Sequence, residues 1–411
     1  MKCRHCAAPL EQVFLDLGSA PPSNAYLRES DLPRAETWLP LKIMICTSCW
    51  LAQTEDFTGR ENLFDADYAY FSSCSSGWLA HAQRFVSDMI SQLGLDGGSM
   101  VAEIAANDGY LLQYVKAAGI PCYGVEPTHS TASAASAKGL TIYEQFFGSA
   151  LAQELLEQGR AVDLLVANNV LAHVPDINDF VAAFAQLLKP HGVLSVEFPH
   201  LLNMVQQNQF DTAYHEHYSY LSFHAVQRIF AAQGLQVFDV QEWPTHGGSL
   251  RVLAQRCDSG TRAITAGVGQ MLAREVAAGM LDVAFYRHAQ AAAETAKFAL
   301  LEFLLDCRRK GLKIAAYGAA AKGNTLLNFA GVKADLLPYV VDINPHKQGK
   351  YLPGSRIPIV GVEHMQRHRP DVIMILPWNL HLEIMRELET VLQVPAQFFI
   401  AIPAIHQLKL S

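Results

Sequence analysis

Apolar positions along this chain change period several times, and each change predicts an element. From Trp78 to Leu93 they recur at helical spacing. From Met100 onward, short apolar runs alternate with amphipathic stretches. Strand Met100–Ala105, helix Gly109–Gly119, strand Cys122–Val125, helix Ser130–Gly139 and strand Thr141–Phe146 are expected first. Helix Ser149–Gly159, strand Val162–Ala167, helix Ile177–Leu188 and strand Val193–Phe198 follow. Strands separated by helices must pair in parallel through right-handed crossovers, which predicts a doubly wound sheet. After a helix at Phe223–Gly234, the runs Leu235–Gln241 and Ser249–Ala254 are close enough to pair as a hairpin at the end of that sheet. Gly269–Lys310 predicts one or two Ala-rich helices. The alternation then resumes with strand Lys313–Tyr317, helix Thr325–Ala330, strands Leu337–Asp342 and Val372–Leu376, helix Leu380–Thr390 and strand Gln397–Ile400. That is a second, smaller Rossmann-like α/β domain.

Composition narrows the class. The 411 residues are half apolar and 17% charged, enough for two or three packed domains and too apolar for a disordered chain. Lys plus Arg number 31 against 39 acidic residues, a net charge of −8. No general nucleic-acid or anionic-membrane binder is expected from that balance. An anionic small molecule held by two or three local cations stays allowed. No apolar run reaches the ~18 residues of a membrane span, and the N-terminus lacks a secretory h-region, so a cytoplasmic protein is expected.

Of eight cysteines, only Cys3, Cys6, Cys46 and Cys49 are patterned, as two C-x-x-C knuckles about forty residues apart. Two such turns can point four thiolates at one tetrahedral zinc, with a small strand-rich insert folded between them. Four thiolates leave no open position, so the metal is expected to hold structure and take no part in chemistry. Disulfides are disfavoured in a reducing compartment, and His5, inside the first knuckle, is expected to be a bystander.

Between Leu51 and Asp96 a loop precedes a helix, and the loop carries an aromatic, hydroxyl-rich run, Asp67 to Gly77. Hydroxyl side chains compete with the backbone for hydrogen bonds and favour loops and caps. Glu103-Ile-Ala-Ala-Asn-Asp-Gly109 ends the first strand of the sheet, where doubly wound folds bind ligands. Small residues at Ala105 and Gly109 let a ligand approach the backbone near Asn107. Glu126 ends the next strand, placed to accept both ribose hydroxyls of a nucleoside. With no G-x-G-x-x-G and no pyrophosphate cradle, S-adenosylmethionine fits better than NAD. Gln145-Phe146-Phe147 closes the third strand, where Phe146 could wall an adenine. Asn168-Asn169 closes the fourth, with His173 shortly after; capping is the plain alternative for the two asparagines.

The run Asp211-Thr-Ala-Tyr-His-Glu-His-Tyr-Ser-Tyr220 is too polar for a core strand. Read as extended, it places Tyr214, Glu216 and Tyr218 on one face and His215, His217 and Ser219 on the other. A carboxylate beside an imidazole can tune it for proton abstraction. A metal site or a buried polar network are the alternatives, and the H-E-x-x-H spacing of zincins is absent. Tyr317-Gly-Ala-Ala-Ala-Lys-Gly-Asn-Thr325 follows a strand and precedes a helix. It has the P-loop glycine interval (Gly318, Gly323), but Asn324 stands where a P-loop needs lysine. Lys322 and the helix N-terminus suit a nucleotide diphosphate instead. His246-Gly-Gly-Ser249-Leu-Arg251 could add contacts; for Arg251 a solvated surface position is the alternative.

In order, the chain carries paired C-x-x-C knuckles, Y-x-Y-x-S-S, E-I-x-x-N-D-G-Y, N-N-V-x-A-H, Y-H-E-H-Y-S-Y, H-G-G-S-L-R and Y-G-A-x-A-K-G-N-T. Over essentially its whole length this resembles the sugar C-methyltransferase family of deoxysugar biosynthesis. Ala105 stands where that family usually has glycine, a departure that keeps the site small. The resemblance implies a zinc-binding N-terminal lobe (1–65), a class I methyltransferase Rossmann-like domain (66–265) and a C-terminal Rossmann-like domain binding the sugar nucleotide (266–411). It implies methylation at C3 of a nucleotide-linked, typically dTDP-linked, 4-keto-6-deoxysugar through a base-generated enolate. His217 is then the base, and Glu216 orients a neighbour or the sugar. Tyr214 and Tyr68 stabilise the enolate or position the ring, Tyr68 being favoured over Tyr70, and His173 lies near the donor. Lys322, Asn324, Gly318, Arg251, Ser249 and His246 would face the acceptor. An O-methyltransferase, a methyltransferase for another keto acceptor, an NAD-linked oxidoreductase and a non-catalytic nucleotide-sugar-binding protein are the competing readings. The sequence leaves the exact sugar, its nucleotide, the stereochemistry and the oligomeric state open, a monomer included.

Overall fold

A computed structural model describes residues 1–57, 71–392 and 396–409. Three sheets organise them. The first holds β1 (Gln12–Ala20), β2 (Leu39–Ile45), β3 (Ala52–Thr54) and β9 (Ser219–Tyr220), in that spatial order and antiparallel throughout. β9 lies some 165 positions beyond β3 in the chain, so this lobe is completed by a segment from the middle of the sequence.

The second sheet has seven strands. β4 (Val101–Ile104), β5 (Cys122–Val125), β6 (Ile142–Tyr143), β7 (Val162–Asn168) and β8 (Leu188–Pro199) run parallel. β10 (Leu235–Trp243) and β11 (Ser249–Arg256) complete it as the expected hairpin. The spatial order is β10-β11-β8-β7-β4-β5-β6, with β11 inserted antiparallel beside β8. Strand order therefore reverses between β4 and β7, and that crevice opens at their carboxyl ends. The parallel strands read as near-continuous apolar runs because helices cover both faces.

Helices α1 (Ser76–Leu93), α2 (Leu112–Ala117), α3 (His129–Ala137), α4 (Ser149–Glu157), α5 (Ile177–Leu187), α6 (Leu201–Gln206) and α7 (Phe223–Ala232) accompany this sheet. Ser75 caps α1, its hydroxyl accepting from the Trp78 amide at 3.2 Å, and Gly94 ends it in the left-handed region. From residue 71, where the hydroxyl-rich run is described, Ser75 acts as the expected cap, but Ser72–Cys74 form a 3-10 turn and Ser76 and Gly77 already belong to α1. The buried carboxylate of Glu275 receives the Phe223 and His224 amides at the start of α7. Glu275 sits on α8 (Ala266–Ala277), which packs on α7 and β10.

α9 (Val283–Arg309) then leads into the third sheet, so the Ala-rich segment is two helices. That sheet comprises β12 (Ile314–Tyr317), β13 (Val340–Val341), β14 (Ile359–Val360), β15 (Val372–Ile375), β16 (Gln397–Ile400) and β17 (His406–Leu408). Its order is β14-β13-β12-β15-β16-β17, parallel except for β17. α10 (Ala321–Ala330), α11 (Val362–His368) and α12 (His381–Leu392) connect these strands. The switch point here falls between β12 and β15.

α10 begins four residues earlier than the pattern suggested. Ala321 and Lys322 are good helix formers, and Ala320 supplies the extended capping position. The expected long anion loop therefore shrinks to Gly318–Ala320, and Lys322 stands on the first helical turn. One hydrophobic core unites Phe14, Leu15 and Ile43 of the first lobe with Tyr286 and Leu300 of α9 and with β12 and β15. A second joins the four-cysteine lobe to the seven-stranded sheet. The N-terminal lobe is thus packed against both α/β units. No helix among the described residues is long and apolar enough to cross a membrane.

Candidate active site

The carboxyl ends of the second and third sheets face one cavity of about 500 Å³, closed on a third side by the N-terminal lobe. Its walls carry Asn24 from the first lobe, Ala105, Asn107, Glu126, Phe146, Asn168, Asn169 and His173 from the second sheet, and Lys322 and Asn379 from the third. Tyr214, Glu216 and His217 line the same cavity.

One part of the cavity wall is built by the loop after β4. Ala105 and Asn107 both take left-handed φ, 58° and 48°. Glu126 at the end of β5 fixes this loop by accepting from the Asn107 amide at 2.9 Å. Its other oxygen accepts from the Thr128 amide at 2.9 Å. Burial raises the Glu126 pKa while these amides pull it back. A carboxylate oxygen has lone pairs beyond one amide bond, so Glu126 retains capacity for ribose hydroxyls. Asn168 donates to the Tyr110 hydroxyl at 3.3 Å and Asn169 to His246 Nε2 at 3.1 Å. The amide oxygens of both asparagines are buried without a protein donor. Asn168, Asn169, Glu126 and Phe146 together line an acid-edged, aromatic-walled crevice, and this set fits S-adenosylmethionine. Glu103 and Gly109, expected here, are buried and do not line the cavity. Glu103 lies behind the loop, where desolvation holds its carboxyl well above the usual range.

The cavity also takes in titratable side chains of the 211–220 run, and here the structure corrects the extended reading of that run. The His217 amide bonds back to the Tyr214 carbonyl at 3.0 Å, a tight turn. Alternation is broken, and Tyr214, Glu216 and His217 all reach the cavity. His215 turns away to the Leu39 carbonyl at 3.2 Å. The fold of 211–220 is imposed from outside: the Thr54 hydroxyl donates to the His217 carbonyl at 3.1 Å, and Asn24 donates to Glu216 Oε1 at 3.0 Å.

His217 Nδ1 lies 3.0 Å from the Thr212 carbonyl. A carbonyl oxygen only accepts, so Nδ1 carries the hydrogen and Nε2 keeps a lone pair. Loss of solvent, with His173 nearby, holds the imidazole well below its ordinary pKa, so it is neutral at pH 7. His173 meets it edge to face with ring centroids 4.6 Å apart, and burial lowers that ring to about 4. Tyr214 lies 4.0 Å from His217, centroid to centroid. Burial pushes Glu216 up to about 7, although its bond from Asn24 favours the ionised form, and its second oxygen is buried without a donor. The arrangement can take a proton at a neutral imidazole and offer or accept one at a carboxyl.

At the third sheet, Lys322 donates to Asn379 Oδ1 at 2.9 Å and lies 4.5 Å over the Trp378 ring. Burial lowers its pKa to about 8, and Asp211 draws it back up, so it is cationic at pH 7. His246 also lines the cavity.

Four residues expected to face the acceptor stand elsewhere. Asn324 is buried and donates to the Ser23 carbonyl at 2.6 Å. Gly318, at φ 87°, packs so tightly that a Cβ would come within 2.5 Å of Pro377. Ser249 donates to the Thr245 carbonyl at 2.9 Å. Arg251 is neither ligand contact nor solvated: it is 1% exposed and bonds Glu197 at 2.8 Å, with His81 completing the cluster. Tyr68 and Tyr70 lie outside the described residues. Asn24, Trp78 and Asn379 line the cavity without having been foreseen, and no periodicity or motif marks them.

The four patterned cysteines converge. Their sulfurs all lie within 4.8 Å of one another, with Cys3–Cys49 at 3.5 Å and Cys6–Cys46 at 3.6 Å. Thiolates about 2.3 Å from one zinc would be spaced about 3.8 Å apart, so the set fits a closed tetrahedral ion. β1 and β2 form the strand insert between the knuckles. His5 bonds Asn178 at 2.8 Å and is not part of the set.

Three family models cover this architecture in sequence. A zinc binding domain model matches residues 3–64, a methyltransferase domain model 78–240, and a C-methyltransferase C-terminal domain model 244–403. The chain is 31% identical over 402 residues to the C-methyltransferase NovU of Streptomyces niveus, covering 98% of this chain and 95% of that protein. Among solved structures, magnesium protoporphyrin IX methyltransferase from Synechocystis with bound SAH overlaps 44% of this chain and 84% of its own, at 18% identity and a TM-score of 0.36. An S-adenosylmethionine-dependent methyltransferase from Clostridium acetobutylicum overlaps 44% and 92%, at 11% identity and a TM-score of 0.36. With its zinc lobe, methyltransferase sheet and C-terminal domain matched in order, and its near-complete overlap with NovU, the chain belongs to the C-methyltransferase family.

Proposed function

We propose that this C-methyltransferase acts on C3 of a nucleotide-linked 4-keto-6-deoxysugar, most simply a dTDP-sugar. The carrying observation is the neutral, tautomer-fixed His217 sharing one cavity with the Glu126 nucleoside end and the Lys322 cation. A ketone at C4 acidifies the adjacent C3–H. His217 Nε2 takes that proton, the C–H electron pair becomes the C3–C4 π bond, and the carbonyl oxygen takes the negative charge of an enolate. Tyr214 and the protonated form of Glu216 would bond the ring oxygens, and His173 packs edge to face on His217. Glu126, Asn168 and Asn169 would hold S-adenosylmethionine, which when bound supplies an electrophilic methyl group. Lys322 would pair with the diphosphate, giving the acceptor's charged end a fixed anchor. In this reading residues 1–65 staple the site, 66–265 hold the donor and 266–411 hold the acceptor.

The reading is tested by incubating the protein with donor and a dTDP-4-keto-6-deoxysugar and locating the new methyl by NMR. A ketone at C4 flanks C5 as well, so a methyl at C5 would move the position, and transfer to oxygen would remove the enolate altogether. Two variants probe the roles. Lys322→Ala is expected to raise KM for the sugar nucleotide about 10- to 100-fold with little change in kcat, because it removes one charge-assisted contact. Glu216→Gln cannot ionise. The unaltered enzyme should lose kcat/KM as pH rises through about 7, where Glu216 gives up its proton. The glutamine variant should lack that inflection. A profile identical in both would exclude a protonated Glu216.

A further inference from the structure

Two side chains of the C-terminal domain reach across to the segment that seats His217, and neither is required by the chemistry above. Trp378, just beyond β15, donates its indole N–H to Asp211 Oδ2 at 2.8 Å, and both residues are buried. Thr325, on α10 and also buried, donates its hydroxyl to the Ala213 carbonyl at 2.7 Å. Between these two anchors lies Thr212, whose carbonyl holds the His217 Nδ1–H. Three consecutive residues, 211 to 213, are thus fastened on both sides by the third sheet, and the middle one sets the tautomer of the imidazole. Both clamps adjoin Lys322: Trp378 is the ring beneath its ammonium, and Thr325 stands one turn further along the same helix. Trp378 is also wedged against the 245–248 loop, where a Cβ at Gly247 would come within 2.4 Å of the indole. A shift of that ring would therefore be felt at Asp211, Lys322 and the His246 loop together.

We infer that Trp378 and Thr325 are positioning residues that couple the acceptor-binding domain to the orientation of His217, through the 211–213 segment. The inference rests on His217 as the base, but its geometry can be read without turnover. Without the clamps the Thr212 carbonyl is free to turn, Nδ1 loses its fixed acceptor, and the Nε2–H tautomer, which cannot accept a proton at Nε2, becomes populated. Trp378→Phe keeps a ring beneath Lys322 and removes only the N–H. Thr325→Val keeps the shape and removes only the hydroxyl.

The test uses full-length protein labelled with 15N-histidine, the His217 signals being assigned by their disappearance in His217→Asn. The unaltered chain should show the Nδ1–H tautomer at His217, and each substitution should raise the Nε2–H fraction. In the same variants, donor-free exchange of the substrate C3–H in D₂O should slow about tenfold or more, with KM within twofold and S-adenosylhomocysteine affinity unchanged. The double variant should fall short of the product of the two single effects, since both act on one segment. A His217 tautomer balance unmoved in both variants would overturn the inference, as would a rise in KM with kcat unchanged, which would make Trp378 a mere substrate wall. A tautomer shift in a chain showing no C–H exchange would leave the clamp standing and remove His217 from the base role.

Discussion

His217→Asn is expected to lower methyl transfer about 10³-fold while S-adenosylhomocysteine still binds within a factor of two of the unaltered protein. General-base contributions of about 10² to 10⁴ set the scale. The upper part of that range is appropriate because forming a carbanion is the step the base exists to enable. Asparagine fills similar space and presents no nitrogen able to accept a proton. Donor affinity should survive because Glu126, Asn168 and Asn169 stand on the seven-stranded sheet, whereas His217 hangs on a turn held by other lobes. Single-turnover transfer measured beside calorimetric titration with S-adenosylhomocysteine separates the two effects. Equal losses in both would point to a collapsed fold.

The second large effect concerns the metal. Elemental analysis should find one zinc per chain, and Cys46→Ser or exhaustive chelation should abolish transfer almost completely, although the ion touches neither donor nor acceptor. The path is short. β2 runs directly into the second knuckle, and β3 leaves it. β3 pairs with β9, Gln53 bonds Cys3 Sγ at 3.2 Å, and the next residue, Thr54, holds the His217 carbonyl through its hydroxyl and the Tyr218 carbonyl through its amide. A site of four thiolates couples metal binding to folding of the lobe around it. Activity followed against zinc content should fall in proportion, with S-adenosylhomocysteine binding retained longer than transfer. A zinc-free chain that methylates at the original rate would detach the lobe from the base.

What the sequence could and could not reveal follows from the range of the interactions involved. Strands such as Val162–Asn168 and helices such as Ile177–Leu187 are dictated by local period and burial, and they stand within a residue or so of expectation. The C-x-x-C knuckles and the acid ending β5 are local signatures of their chemistry, and they occupy the places their spacing implied. The shape of residues 211–217 was not legible, because their partners Thr54, Asn24, Thr325 and Trp378 come from lobes far away in sequence. Arg251 misled for the same reason. A cation in a glycine-rich motif reads as a ligand contact, but its counterion Glu197 lies 54 positions upstream and across a strand pairing. Asn324 follows this pattern too, since the earlier start of α10 turns it inward to Ser23. Residue type announced where chemistry gathers, and tertiary packing decided which side chains face it.

The central claim, that a neutral imidazole removes a hydrogen next to a ketone before any methyl moves, is tested most directly by isotope wash-in. The protein is incubated in D₂O with a dTDP-4-keto-6-deoxysugar and no methyl donor, and deuterium in the recovered sugar is located by NMR and mass analysis. Enzyme-dependent incorporation at C3, lost in His217→Asn, is the expected result. Incorporation that continues undiminished in His217→Asn, or methyl transfer to carbon with no wash-in under any condition, would contradict it.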